Sequence, residues 1–220
     1  MWTSLDDLAW NKTNTSGNYA SRIAEVIPTA HDAAWSMDAW VNMANARADN
    51  TYYGLLSQAG DTNADSAAYE IYLRNDLIFI SAAKSALPTS QAFIFAAPVP
   101  KGQWVHIAWT WTATDETKLY VNGSEVYSES SFVRNASAGS IFTLGGVRRT
   151  TEPLEFFGHL DQVKIWNGTL SAADVATSMH TYAANGISGK TLRAHYDFNE
   201  FNDGAVLDRT GNNYLSLIHI

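Results

Sequence analysis

The sequence predicts an all-β fold, two antiparallel sheets packed as a sandwich with one short helix, and three observations carry that expectation. Short apolar or alternating runs recur between clusters of turn residues along most of the 220-residue chain. That pattern belongs to an antiparallel sandwich and not to alternating strand and helix units. Hydrophobic residues make up 46% and charged residues 16%, enough apolar surface for one large core and too little charge for a disordered chain. One segment alone, beginning at Ser171, carries helix start signals. A sandwich of this length closes as a single domain, so residues 1–220 are expected to form one, cut from a longer surface or secreted protein.

Taken in order, the polar stretch Asn11 to Gly17 reads as a loop at the entry of the domain. Strands are predicted over 19–27, 35–43, 51–58, 69–74, 77–82 and 92–96. Over 104–112, Val105, Ile107, Trp109 and Trp111 share one face by period two, and Trp104, His106, Ala108 and Thr110 share the other. Neither face is strongly polar, which predicts a central strand covered on both sides. The next two runs, 117–121 and 124–128, are joined by Asn122-Gly123, and both turn residues tolerate positive φ, as a tight type I′ hairpin requires. Strands over 140–145 and 154–166 follow. Ser171 then caps a helix to about 180 with Asp174 at its third position, and Leu170 and Val175 fall at the spacing of a hydrophobic staple. Val175 and Met179, four apart, share the face that lies on the sandwich. A strand over 192–198 completes the series.

Composition removes several function classes. A net charge of -8 argues against a duplex nucleic-acid partner, which needs a basic phosphate-facing surface. With no cysteine, disulfide frameworks, thiolate chemistry and cysteine zinc sites drop out together. No apolar run approaches the ~18 residues of a membrane-spanning helix, so membrane insertion is not expected.

Four segments carry a family resemblance. Ser36-Met37-Asp38-Ala39-Trp40-Val41 resembles the early strand of laminin-G-like domains, and Gly102-Gln103-Trp104-Val105-His106-Ile107-Ala108 with Leu119-Tyr120-Val121-Asn122-Gly123 resembles their central hairpin. Leu144-Gly145-Gly146 followed by Phe157-Gly158-His159-Leu160-Asp161-Gln162-Val163-Lys164-Ile165-Trp166-Asn167 is similar to the next pair of motifs. Tyr196-Asp197-Phe198-Asn199-Glu200 with Asp208-Arg209-Thr210-Gly211-Asn212 is similar to the terminal element. In this order they resemble the laminin-G-like branch of the concanavalin A-like lectin and glucanase superfamily. The resemblance implies a concanavalin A-like jelly roll and assigns Trp40, Trp104, Trp109 and Trp166 to its framework. Members bind glycans, proteins or metals, and some are glycosidases, so the fold does not decide the function.

Catalysis finds little support. Glycoside hydrolysis needs two carboxyl groups across the scissile bond, and the E-x-D-x-x-E strand of glucanases is absent. The nearest acids, Glu152, Glu155 and Asp161, are spaced three and six apart, which sends Asp161 to the opposite face from Glu152 in a regular strand. Asp161 reads as a carboxylate satisfied by backbone donors. No histidine pair of zinc-protease spacing and no phosphate-binding glycine motif occurs. The chain is therefore expected not to be an enzyme. A divergent glycosidase or polysaccharide lyase, or a purely structural spacer, is the competing reading.

Binding has more to offer. Asp61, Asn63 and Asp65 alternate in one loop before the strand at 69–74, and calcium takes several oxygen ligands of this kind. An ordinary polar hairpin loop explains the same residues equally well. Calcium-binding laminin-G domains draw one aspartate from a comparable loop, which by resemblance favours Asp65 or Asp61. Trp2, Trp10 and Trp35 stand outside the family framework and are the candidates for stacking on a sugar, Trp35 foremost. Arg148 and Arg149, with Glu152 in the same loop, are the candidates for polar ligand contacts. The expected function is a non-catalytic recognition or adhesion module, extracellular or at the cell surface, that takes a glycan or protein ligand with calcium as a candidate cofactor.

Overall fold

The computed structural model describes residues 10–11, 19–23, 25–30, 32–44, 50–59, 68–82, 95–130, 132, 141–147, 154–181, 187, 189–199, 201–202, 205–212 and 216–219. The strands are β1 (Trp10–Asn11), β2 (Tyr19–Ile23), β3 (Trp35–Met43), β4 (Tyr53–Ala59), β5 (Tyr69–Arg74), β6 (Leu77–Ala82), β7 (Phe95–Pro98), β8 (Trp104–Trp111) and β9 (Thr117–Val121). They continue as β10 (Ser124–Glu129), β11 (Ile141–Leu144), β12 (Gly146–Val147), β13 (Leu154–Glu155) and β14 (Gly158–Asn167). Helix α1 (Ala172–His180) precedes β15 (Thr191–Tyr196), β16 (Phe201–Asn202), β17 (Ala205–Val206) and β18 (Ser216–His219).

Two antiparallel sheets form among these elements. One has the order β1-β14-β3-β8-β9-β10 with β15 also paired to β14, and the other runs β16-β17-β18-β2-β11-β4-β5-β6-β7. The expected two-sheet sandwich with one helix is what the chain adopts. Strand parity builds the core: Trp35, Met37, Ala39 and Val41 of β3 face Val105, Ile107, Trp109 and Trp111 of β8 and the inward residues Ile71, Leu73, Ile78 and Ile80 of the other sheet, all fully or almost fully buried. β8 lies between β3 and β9 with both faces covered, as its two apolar faces predicted.

The local signals explain the connections. Asn122 and Gly123 sit at φ 50° and 78°, and the Asn122 side-chain oxygen accepts the His106 amide at 2.9 Å, so this turn also ties the hairpin to β8. Ser171 and Asp174 form the reciprocal capping box, and the helix lays buried Leu170 and Val175 beside Trp166, Ala108 and Tyr120. The predicted strand at 154–166 divides at Phe156 and Phe157, because there the chain leaves the short β12–β13 ladder for the seven-stranded sheet. Gly158 opens the second part: a Cβ there would lie 2.1 Å from the Asn42 carbonyl oxygen, so the close approach of β14 to β3 requires glycine.

Candidate functional site

Because Asn75-Asp76 links β5 to β6 directly, Arg74 pairs with Leu77, and counting back places Tyr72 opposite Phe79 and Glu70 opposite Ser81. Ile71, Leu73, Ile78 and Ile80 point into the core, so Tyr72, Arg74, Phe79, Glu70 and Ser81 stand on the outer face of the nine-stranded sheet. Two rows cross that face. Thr143, Ser57, Glu70 and Ser81 make a polar row, with Ser57 and Thr143 hydroxyls 2.6 Å apart and every member buried. The neighbouring row reads Gly54, Tyr72, Phe79, Ala96. Tyr72 and Phe79 stack with ring centroids 5.3 Å apart and planes 7° from parallel. Ala96 pairs with Phe79 on the strand beyond it, and the Phe79 ring is half-buried.

Tyr52 extends this aromatic row toward solvent. Its ring meets Tyr72 edge-on at 5.4 Å, and it is 40% exposed, one of two large hydrophobic side chains so exposed among the described residues. Arg74 lies over the Tyr52 ring at 4.7 Å and donates to its hydroxyl at 2.9 Å. Its Nε–H is buried and meets no acceptor among the described residues. An aromatic surface covers the apolar face of a sugar ring, and a guanidinium donates to hydroxyl or carboxylate oxygens, so this patch has the chemistry of a glycan contact.

The outer face of the seven-stranded sheet is built otherwise. Asp38 accepts from Trp166 Nε1 at 2.6 Å and from Ser178 Oγ at 3.0 Å, with His106 Nε2 at 3.1 Å and the Lys164 ammonium at 3.7 Å. Burial alone would raise the Asp38 carboxyl above its usual value, but the Lys164 charge and the bonds from His106 and Trp166 outweigh it and hold the group below. Lys164 also donates to the Ser178 and Thr181 carbonyls at the end of α1. Nearby, His195 is driven down to about 4, first by burial and then by the Lys164 charge, and its Nε2 lies 2.9 Å from Gln162 Oε1. Asp38 and Lys164 are buried against the end of α1, and His106, Gln162 and His195 are buried beside them, which fits a structural role.

Trp35 corrects a sequence expectation. Parity turns it inward with Met37, and it is fully buried with its ring 4.6 Å from Tyr69 and 5.4 Å from Trp109, so it offers no face to a ligand. Asp161 is 5% exposed and accepts the Gln162 amide at 2.7 Å, at a bulge where Gln162 takes φ 50°. Arg148, Arg149, Glu152, Asp61, Asn63, Asp65 and Trp2 lie outside the described residues, as does the side chain of Trp10. The strands that bracket them are described: 60–67 follows Ala59 at the end of β4 that pairs with Ile141, and 148–153 follows Val147, beyond the end that pairs with Leu144. Among the described residues no three His, Cys, Asp or Glu side chains gather as a metal site, and no helix is long and apolar enough to cross a membrane. Tyr52, Tyr72, Arg74 and Phe79 were missed by sequence reasoning, although the two-residue turn at 75–76 and strand parity were enough to place Tyr72, Arg74 and Phe79 together on an outer face.

Two antiparallel sheets with a helix laid over one of them define a jelly-roll sandwich. The sequence model of the laminin G family, described as the concanavalin A-like lectin/glucanases superfamily, matches residues 14–176, and the chain belongs to that superfamily. No curated protein matches the sequence. Among solved structures the fold is similar to a proposed carbohydrate-binding protein from Bacteroides ovatus, at TM-score 0.64 and 14% identity over 91% of this chain and 56% of that one. It therefore spans little more than half of that protein. A heptameric SAP-like pentraxin from Limulus polyphemus is similar at TM-score 0.57 and 14% identity, over 99% of this chain and 97% of that one. The CBM40 module of the Ruminococcus gnavus IT-sialidase, solved with α2,3-sialyllactose, is similar at TM-score 0.58 and 16% identity over 77% and 97%.

Proposed function

We propose that the chain is a non-catalytic glycan-recognition module whose ligand rests on Tyr52, Phe79 and Arg74. The observation that carries the reading is the exposed Tyr52 ring held under Arg74, beside the stacked Tyr72–Phe79 pair. The CBM40 module bound to sialyllactose supports it by showing a similar sandwich in the service of sugar binding. The sealed environment of Asp161, the strongest acid candidate of the described strands, supports a non-catalytic role. A glycan array followed by calorimetry tests the proposal. Binding that falls about tenfold in Arg74→Ala and in Tyr52→Ala is the expected result. Sugar release from polysaccharides that vanishes on substituting Glu155 or Asp161 would replace it by the enzyme reading, and silence on both assays by the spacer reading.

The module's setting is part of the same proposal: it works outside the cell or at its surface, where adhesion to glycans takes place. Immunolabelling of intact cells is expected to reach it, and labelling only after permeabilisation would refute that placement.

Calcium at Asp61, Asn63 and Asp65 is proposed from their spacing. Three side chains are too few for six to eight coordination positions, so main-chain carbonyls, water or a second loop must complete the shell. Such a site binds with a dissociation constant of roughly 10⁻⁴ to 10⁻³ M, and calcium at tenfold that concentration adds about 1.4 kcal/mol to stability. Melting is expected to rise by a few degrees between chelator and millimolar calcium, and Asp61→Ala with Asp65→Ala to abolish the rise. Unchanged melting of the parent chain favours the plain hairpin loop.

A further inference from the structure

A cavity of about 310 Å³ opens on the other side of the sandwich, between the β8–β9–β10 meander and the residues leading into α1. Its floor follows from register. Thr110 pairs with Lys118, and Ala108 with Tyr120, which in turn pairs with Glu125. Parity places Thr110, Lys118 and Tyr120 on the outer face of the seven-stranded sheet, opposite the core residues Trp109 and Leu119. Leu170 and Ala172 close the wall on the helix side. The Lys118 ammonium stands between two carboxylates, 3.2 Å from Glu116 and 3.4 Å from Glu125. The three are between about a third and two fifths exposed, so none is committed to the interior.

We infer that this cavity is a second binding site, for one neutral sugar ring or a polyol of that size. Volume sets the scale, at the lower end of the roughly 300 to 1,000 Å³ of small-ligand clefts. Lining sets the chemistry. Such clefts are mostly apolar with a few placed polar groups, and this one follows that pattern: Leu170, Ala172 and the Tyr120 ring line it beside Thr110, Lys118, Glu116 and Glu125. A flat apolar ligand would cover the Lys118 ion pairs without adding a bond to them, whereas vicinal hydroxyls can donate to the remaining lone pairs of the two carboxylates and accept from the ammonium. The two carboxylates around one ammonium leave the floor net negative, which selects against an anionic sugar. Lys118 fixes both carboxylates before a ligand arrives, so less ordering remains to be done on binding.

The site stands independently of Tyr52 and Arg74, which lie on the other sheet. Occupied together, the two faces make one module bivalent, able to hold two glycan chains or two points of one chain.

Amide spectra of the ¹⁵N-labelled chain, titrated with methyl glucoside, methyl galactoside and methyl mannoside, test this. At least one of the three is expected to shift Thr110, Lys118, Tyr120 and Ala172 with millimolar affinity. In the double variant Lys118→Met with Glu125→Gln, that affinity is expected to fall about tenfold or more with thermal melting unchanged, since both side chains are partly exposed. Tyr52→Ala is expected to leave these shifts as they are, and so to separate this site from the proposed glycan patch. Absence of shifts at the four amides for all three glycosides, or shifts that persist in the double variant, would overturn the inference whatever happens at Tyr52.

Discussion

Helix α1 closes over one outer face of the sandwich and shuts Asp38, His106, Lys164 and Ser178 away from water, whereas the opposite face leaves Tyr52 40% exposed beside Arg74. Both faces set charged groups against aromatic rings. The difference is burial: Asp38 and His106 are fully buried, and Tyr52 is not. Asp38 receives donors from three other elements, so its charge is spent on holding those elements together. Arg74 spends one donor on Tyr52 and keeps Nε–H without an acceptor among the described residues. A carboxylate buried among its donors stabilises, whereas a guanidinium beside an exposed ring is placed for the contact proposed above.

That contrast breaks most visibly at Asp38. Asp38→Ala leaves the buried Lys164 charge without its carboxylate and the Trp166 donor without its acceptor, and is expected to cost about 3 to 5 kcal/mol in urea unfolding. Asp38→Asn keeps an acceptor and should cost less. A loss near zero for Asp38→Ala would show that the cluster does not hold the helix.

Acid probes the same face. His195 titrates near 4 when folded and near 6.5 when free, so between those values the unfolded chain takes up the proton first. Stability is therefore full above about pH 6.5 and falls as pH drops toward 4, by on the order of 3 kcal/mol. Below about 3.8 Asp38 adds a loss of the same sign, because its folded value is depressed. Urea titrations at pH 7, 5.5 and 4 measure the slope, and His195→Gln should flatten the part above pH 4.

The exposed Tyr52 gives the opposite signature. Tyr52→Ala is expected to cut glycan affinity about tenfold, or 1.4 kcal/mol, while changing stability by no more than ~0.5 kcal/mol. Equal losses in binding and stability would make Tyr52 a packing residue instead. The smallest effect is expected at Ser171→Ala, which removes half of the capping box and should cost ~1 kcal/mol without touching affinity at Tyr52.

Where alternation or turn chemistry was strong, the sequence specified the elements to the residue. β3, β5, β6 and β9 end where predicted, and the Ser171 cap and the Asn122-Gly123 turn have their expected geometry. Two-residue ladders such as β12, β13, β16 and β17 were not legible, since two residues carry no periodicity and are fixed by their neighbours alone. The site was less legible than the fold. Attention went to tryptophan, the largest ring, yet parity turns Trp35 inward, and the exposed ring is a tyrosine just before a strand. Asp38 gave no warning either, because its partners Lys164, Trp166 and Ser178 lie more than a hundred residues away and meet it only across sheet and helix.

Those distant partners also set the smallest piece of chain that can stand alone. The family match ends at residue 176, two residues before Ser178. A fragment trimmed there would lose the Ser178 hydroxyl and the Ser178 and Thr181 carbonyls, leaving the Lys164 ammonium short of acceptors, and would lose β15, which pairs with β14 along its length. The folding unit therefore reaches at least to Tyr196, and grafting this module into another protein requires that whole length.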